Sequence, residues 1–215
     1  MEQTSPLVIK IVAVDPGNNM GLSFLEFNRE SGRVKALDSH TILLDKYISN
    51  YYPELLDSHG TLLARTFAVG KIIGKYCDAW VPDFLVHETA FSAHGRGRFG
   101  NSVESFAVLR ENILAIKLAA MNHDVSLKIV PINPQTVKYA VAGKQSNDKD
   151  DISEALVKLP DLDIECETKF LDQHSWDSMA IGYTFVKKNI MGVPKNEHSK
   201  RNKRIKRNKA ARSGR

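Results

Sequence analysis

The stretch Ile11-Val12-Ala13-Val14-Asp15-Pro16-Gly17-Asn18-Asn19-Met20-Gly21 constrains this chain more than any other. An apolar run dominated by β-branched residues reads as a buried strand. It ends abruptly in an aspartate, and Pro16 and Gly17 stop the strand and turn the backbone. Asp15 therefore stands at the end of a rigid strand. A carboxylate there either caps the turn or is held in place as a metal ligand.

Partners for Asp15 occur at two further places. Phe84-Leu85-Val86-His87-Glu88 is a second short apolar run ending in an acid, and Pro82 and Asp83 mark its start. Downstream, Asp172-Gln173-His174-Ser175-Trp176-Asp177-Ser178-Met179-Ala180-Ile181-Gly182 opens a helical segment. His174 and Asp177 are three residues apart and share a helix face, and Asp172 reads as the cap of that helix. Each acid alone is an ordinary cap or turn residue. Three acids and a histidine from three elements can converge on one site, and oxygen-rich sets of this kind suit Mg²⁺ or Mn²⁺.

These residues, in this order, resemble the RuvC family of Holliday-junction resolvases, nucleases of the RNase H-like superfamily. Asp-Pro-Gly follows the first strand, Glu follows a later strand, and His-x-x-Asp opens a late helix. Glu88-Thr89-Ala90-Phe91 matches the family's acid with an aromatic three residues on. Lys138 and Lys149, eleven residues apart, resemble the family segment whose two basic residues serve DNA binding and catalysis. Asp177-Ser178-Met179-Ala180-Ile181 resembles the closing acid and the small and apolar residues after it. The resemblance covers roughly residues 7–190. Three features depart from it: an aromatic and polar segment over about 45–80, the acids Asp148, Asp150 and Asp151 around Lys149, and a basic tail.

Charge is unevenly distributed. From Lys195 to Arg215 there are ten Lys or Arg against one acid, whereas the other 194 residues hold 20 basic and 24 acidic side chains. The net +5 thus comes from the tail, which lacks apolar periodicity and suits sequence-independent attraction to phosphates. Domain boundaries follow: a nuclease-like domain over 1–190 and a basic, disordered nucleic-acid-binding tail over 191–215. A solubilising or nuclear-import role is the plainer reading of such a tail. Cys77 and Cys166 form neither a metal-knuckle spacing nor a disulfide framework. With no signal peptide and no apolar run of spanning length, the expectation is a cytoplasmic, DNA-associated protein without membrane contact.

The pattern predicts an α/β fold: an RNase H-like mixed sheet, with an antiparallel three-strand meander plus parallel strands, flanked by helices. The strands are Leu7–Val14, Gly21–Phe27, Val34–Leu44, Phe84–Glu88 and Ser126–Pro131. Helices are expected over Thr61–Trp80, with Leu62, Leu63, Phe67, Ile72, Ile73 and Tyr76 near its apolar stripe, and over Ser102–Met121. Three more follow: one from Asn133-Pro134 to about Ala142, one over Asp150–Leu159 and one over Gln173–Lys188. Helix 102–121 is apolar on more than one face. Either the sheet and a neighbouring helix cover it, or a second copy does; the family resemblance implies a two-fold homodimer suited to a four-way junction. Before that helix, Phe91-Ser92-Ala93-His94-Gly95-Arg96-Gly97-Arg98-Phe99 combines glycines with arginines. Arg96 and Arg98 suit phosphate contact, and Phe91 or Phe99 could stack on an unpaired base.

The implied function is a metal-dependent, structure-specific endonuclease that resolves four-way DNA junctions by paired symmetric nicks. The resemblance implies 5′-phosphate and 3′-hydroxyl products. Two Mg²⁺, with Mn²⁺ able to substitute, would lie about 4 Å apart, held by Asp15, Glu88, Asp177 and His174. Lys138 and Lys149 would neutralise phosphate charge. Two alternatives share these residues: a nuclease for flaps, forks or other branched DNA, and a branched-DNA-binding protein that does not cut.

Overall fold

A computed structural model of the chain describes residues 6–90, 102–143 and 150–192. Phe91, Arg96, Arg98, Phe99, Lys149 and the tail from 193 lie outside the described residues.

The apolar runs build one six-stranded mixed sheet in the order β5-β4-β1-β2-β3-β6. β1 (Val8–Asp15), β2 (Asn19–Asn28) and β3 (Arg33–Leu43) form the antiparallel meander. β4 (Phe84–Glu88) runs parallel to β1, and β5 (Lys128–Ile132) runs parallel to β4. A parallel pair needs a crossover, and helices supply it. α1 (Leu44–Tyr51) and α2 (Pro53–Trp80) lead from β3 to β4, and α3 (Ser102–His123) leads from β4 to β5. On the other face lie α4 (Pro134–Ala142), α5 (Asp150–Val157) and α6 (Gln173–Phe185), the last continuing as a π-helical turn over Val186–Ile190.

Two cores sandwich the sheet, and strand alternation sorts residues between them. Ile9, Ile11, Ala13 and Val86 join the core beneath α6, whereas Val12, Val14 and Leu85 join the core beneath α2 and α3. Parity then fixes the acids. Asp15 continues the series 9, 11, 13, and Glu88 continues 84, 86, so both carboxylates face α6. The β1–β4 register pairs Val14 with His87, which makes Asp15 and Glu88 the next neighbours at the same end of the sheet.

Three elements differ from the sequence expectation. Residues 44–51 and 53–59 are helical, separated at Tyr52, and the second stretch is broken from the rest of α2 by Gly60 at φ 77°. Pro53 at the first helical position marks that start. Aromatic residues of this segment pack in tilted and edge-to-face pairs, Tyr47 with Tyr51 and Tyr52 with Phe67, at ring centroids 4.7 and 5.3 Å apart. The buried stripe of α2 is Ala64, Arg65, Ala68, Val69, Ile72, Ile73 and Cys77. Leu62, Leu63 and Phe67 are exposed instead, because the small alanines sit closest to the sheet. A sixth strand, β6 (Leu162–Ile164), extends the β3 edge in parallel. Three residues are too few to show alternation; Arg33–Asp163 and Lys35–Glu165 ion pairs hold the strand to β3. No helix among the described residues is long and apolar enough to cross a membrane.

Candidate active site

At the end of β1 the chain turns at Pro16-Gly17, and the turn is pinned from the other side of the sheet. The Asn112 Nδ2 amide, on the inner side of α3, donates to the Pro16 carbonyl at 3.1 Å. Asn112 is buried and its Oδ1 has no protein partner. Asp15 is thus held both by the β1 ladder and by a helix on the opposite face. Nothing in the spacing of α3 singles out Asn112, although a polar residue within an apolar helix is the signal that could have done so.

Glu88 ends β4. Its neighbour His87 points to the opposite face and is buried, and the His87 Nδ1–H donates to the Glu88 carbonyl at 2.8 Å. Burial lowers the His87 pKa, and Lys117 adds to the effect, so the ring is neutral. His87 therefore acts as a strut for the Glu88 backbone.

The helix α6 brings the remaining groups. The Asp172 carboxylate caps it, accepting from Ser175 N–H at 3.0 Å and from the Ser175 hydroxyl at 2.9 Å. The Thr41 hydroxyl donates to the same carboxylate. Burial opposes ionisation of Asp172, but these hydrogen bonds outweigh it and hold its pKa below the ordinary value. Asp172 is the helix cap that the sequence indicates. Within the first turn, His174 Nδ1 lies 2.9 Å from Asp15 Oδ2. This hydrogen bond raises the His174 pKa, against the effect of burial.

Electrostatics shows that the acids share one site. Burial drives Glu88 from the ordinary 4.5 up to about 8, and the charges of Asp15 and Asp177 add to the rise. Asp177 is driven from 3.8 up to about 6 by burial and by Asp15. Lys138 on α4 acts in the other direction on both. The structure thus brings Asp15, Glu88, His174, Asp177 and Lys138 to one end of the sheet. Buried acids that strongly perturb one another are the usual mark of a functional site.

A hard divalent cation fits the chemistry of this donor set, which offers three part-buried carboxylates facing one lysine and one imidazole. Among the described residues, however, no three His, Cys, Asp or Glu side chains form a ready-made metal cage.

Two glycines let α6 approach the sheet. A Cβ on Gly21 would lie 2.0 Å from the His174 carbonyl oxygen. A Cβ on Gly182 would lie 2.5 Å from Leu25 Cδ1. An isolated glycine inside a strand pattern is a recognised sign of close backbone approach, so Gly21 was legible in principle.

No family model matches the chain, and no curated protein matches it in sequence. Solved structures do match in fold. RuvC of Thermus thermophilus, in complex with a Holliday junction substrate, superposes with a TM-score of 0.63 at 16% identity, over 86% of this chain and 96% of that one. The yeast mitochondrial Holliday junction resolvase Ydc2 gives 0.58 at 12% identity, over 86% and 80%. The fowlpox virus resolvase, with its Holliday junction DNA, gives 0.50 at 14% identity, over 82% and 98%.

Proposed function

The chain has the RuvC-like fold, and from it we propose that the protein is a metal-dependent endonuclease that cuts branched DNA, four-way junctions foremost, by paired symmetric nicks. One observation carries this reading: Asp15, Glu88, Asp177 and His174 meet at one sheet end of a fold shared with solved junction resolvases.

In this reading Asp15, Glu88 and Asp177 are the oxygen ligands for Mg²⁺, or Mn²⁺ in its place. Bound ions would neutralise charge at the scissile phosphate and make the attacking water easier to deprotonate. His174 completes the set or moves the nucleophile's proton. Its contact with Asp15 fixes the ring, and a pKa raised from 6.5 makes the neutral ring a stronger base for the nucleophile's proton. Lys138 faces the same acids and is placed to meet phosphate charge; Lys149 is proposed to act beside it. The products would carry 5′-phosphate and 3′-hydroxyl ends.

Paired nicks call for two active sites, and α3 offers a surface for pairing. Ile113, Ile116, Ala115 and Ala120 are buried against the sheet and α2, whereas Leu114, Leu118 and Met121 are exposed. These three fall at i, i+4 and i+7, one apolar stripe on the outside of the helix. Exposed Leu63 and Phe67 of α2 border it across a groove of about 970 Å³. We take this stripe as the homodimer contact, with both expected modes of burial operating on α3 at once. The basic tail from 191 to 215 is proposed to add phosphate affinity.

Nicking of a labelled immobile four-way junction in Mg²⁺, beside a flap and a linear duplex, tests the reading. Symmetric nicks on the junction that vanish with EDTA and with Asp15→Asn are expected. Preferential cutting of the flap would move the substrate to other branched DNA. Binding without cutting in both Mg²⁺ and Mn²⁺ would make the protein a DNA-binding relative without catalysis.

A further inference from the structure

Two alternate rungs of the β2–β3 ladder, on the same side of the sheet, face the first turns of α6. The register pairs Gly21 with Thr41 and Ser23 with Ser39. All four point towards the α6 core by parity, yet none is apolar. A strand position in a core that carries serine instead of valine needs an explanation.

The hydroxyls close a network around the helix start. Ser23 Oγ lies 2.7 Å from Ser39 Oγ and 2.6 Å from Ser178 Oγ. Ser39 Oγ and Ser178 Oγ each donate to the Ser175 carbonyl at 2.9 Å. Thr41 Oγ1 reaches Ser175 Oγ at 3.0 Å and also bonds the Asp172 cap. Ser23, Ser39, Ser175 and Ser178 are all buried, and each hydroxyl is satisfied. Beside them Gly21 leaves room for the His174 backbone, which a Cβ would strike. The network therefore grips residues 172–178, the segment that carries His174 and Asp177. A leucine pair at these rungs would stabilise the core as well but would fix neither the rotation nor the depth of the helix. Directional hydrogen bonds fix both.

We propose that Ser23 and Ser39, with Gly21, are positioning residues that seat α6 so that the His174 ring reaches Asp15. The proposal rests on reading this site as the catalytic one. The seat acts through His174 and Asp177 and touches no substrate.

The test uses the full chain with ¹⁵N-labelled histidine, the His174 ring signals being assigned by their loss in His174→Gln. Ser39→Ala and the Ser23→Ala/Ser39→Ala pair remove the grip, Ser39→Thr keeps the hydroxyl, and Gly21→Ala pushes on the His174 backbone directly. In the folded Ala variants, checked by thermal melting, the Nδ1 resonance is expected to move to that of an unbonded imidazole. Junction nicking falls by ~10–100-fold, and junction affinity stays the same. Ser39→Thr retains both the resonance and the rate. Folded Ala variants with an unchanged resonance would overturn the proposal, as would a moved resonance with an unchanged rate. If the wild-type chain cuts no branched DNA while the resonance still moves, the positioning role stands and the nuclease reading falls.

Discussion

Among the described residues, Asp15 is the one acid at this site with an imidazole in hydrogen-bond contact, and it raises the pKa of both Glu88 and Asp177. It is therefore the charge around which the others are arranged. Asp15→Asn keeps the shape and removes that charge. Nicking is expected to fall by ~10³-fold or more, with junction affinity retained in a gel-shift assay; residual cutting within a few-fold of wild type would exclude Asp15 from the chemistry. Asn112 tests the turn after it. Asn112→Ala leaves the Pro16 carbonyl unpaired and should cost about 1–3 kcal/mol in a denaturant melt. A further ~10–100-fold loss in nicking rate, measured where the variant is fully folded, is expected from a looser Asp15 turn.

At the scale of elements, strands were more legible than helices because their alternation is short and strict. Ile9, Ile11 and Ala13 announce the face that Asp15 shares, and Phe84 and Val86 do the same for Glu88. The C-terminal half of the α2 stripe, with Ile72, Ile73 and Cys77 buried, follows the sequence pattern, whereas its N-terminal half does not. Leu62, Leu63 and Phe67 look like core residues by hydropathy, yet Ala64, Ala68 and Val69 lie against the sheet because small side chains allow closer packing. β6 was invisible because three residues at a sheet edge leave no pattern. The seat under α6 escaped notice because serine in a strand is a weak signal until the facing helix is known. The apolar face that α3 exposes has a consequence for assembly. Leu118 is about half exposed, at 52%, so Leu118→Glu should leave the monomer fold intact. Sedimentation should show a dimer in wild type and a monomer in the variant, and the variant should nick one junction strand without coordinating the second. A Leu118→Glu chain that sediments like wild type would place the dimer contact elsewhere.

For the whole molecule, the site sets a conflict between stability and charge that a cation can resolve. Glu88 titrates at about 8 in the folded chain against an ordinary 4.5, and Asp177 at about 6 against 3.8. Over this window the folded protein binds more protons than the unfolded chain, so its stability falls as pH rises. The contribution is fully present below the ordinary values and is lost as pH passes the raised ones. His174 acts in the same direction, because its pKa is raised by Asp15 and the benefit of that contact fades once the ring is neutral. In EDTA the melting temperature should therefore decline from pH 5 to pH 8.5. A divalent cation held by these acids would bind their ionised form, so the rise in melting temperature on adding Mg²⁺ should be small at pH 5 and grow towards pH 8. Glu88→Gln removes the largest of the raised carboxyls. It should melt higher than wild type at pH 8 in EDTA, gain less from Mg²⁺, and cut no junction. Equal Mg²⁺ gains at pH 5 and pH 8, or a flat wild-type profile in EDTA, would mean that these acids do not hold the metal. A variant that is more stable and inactive would instead show that the fold gives up stability at this sheet end to keep three carboxylates together.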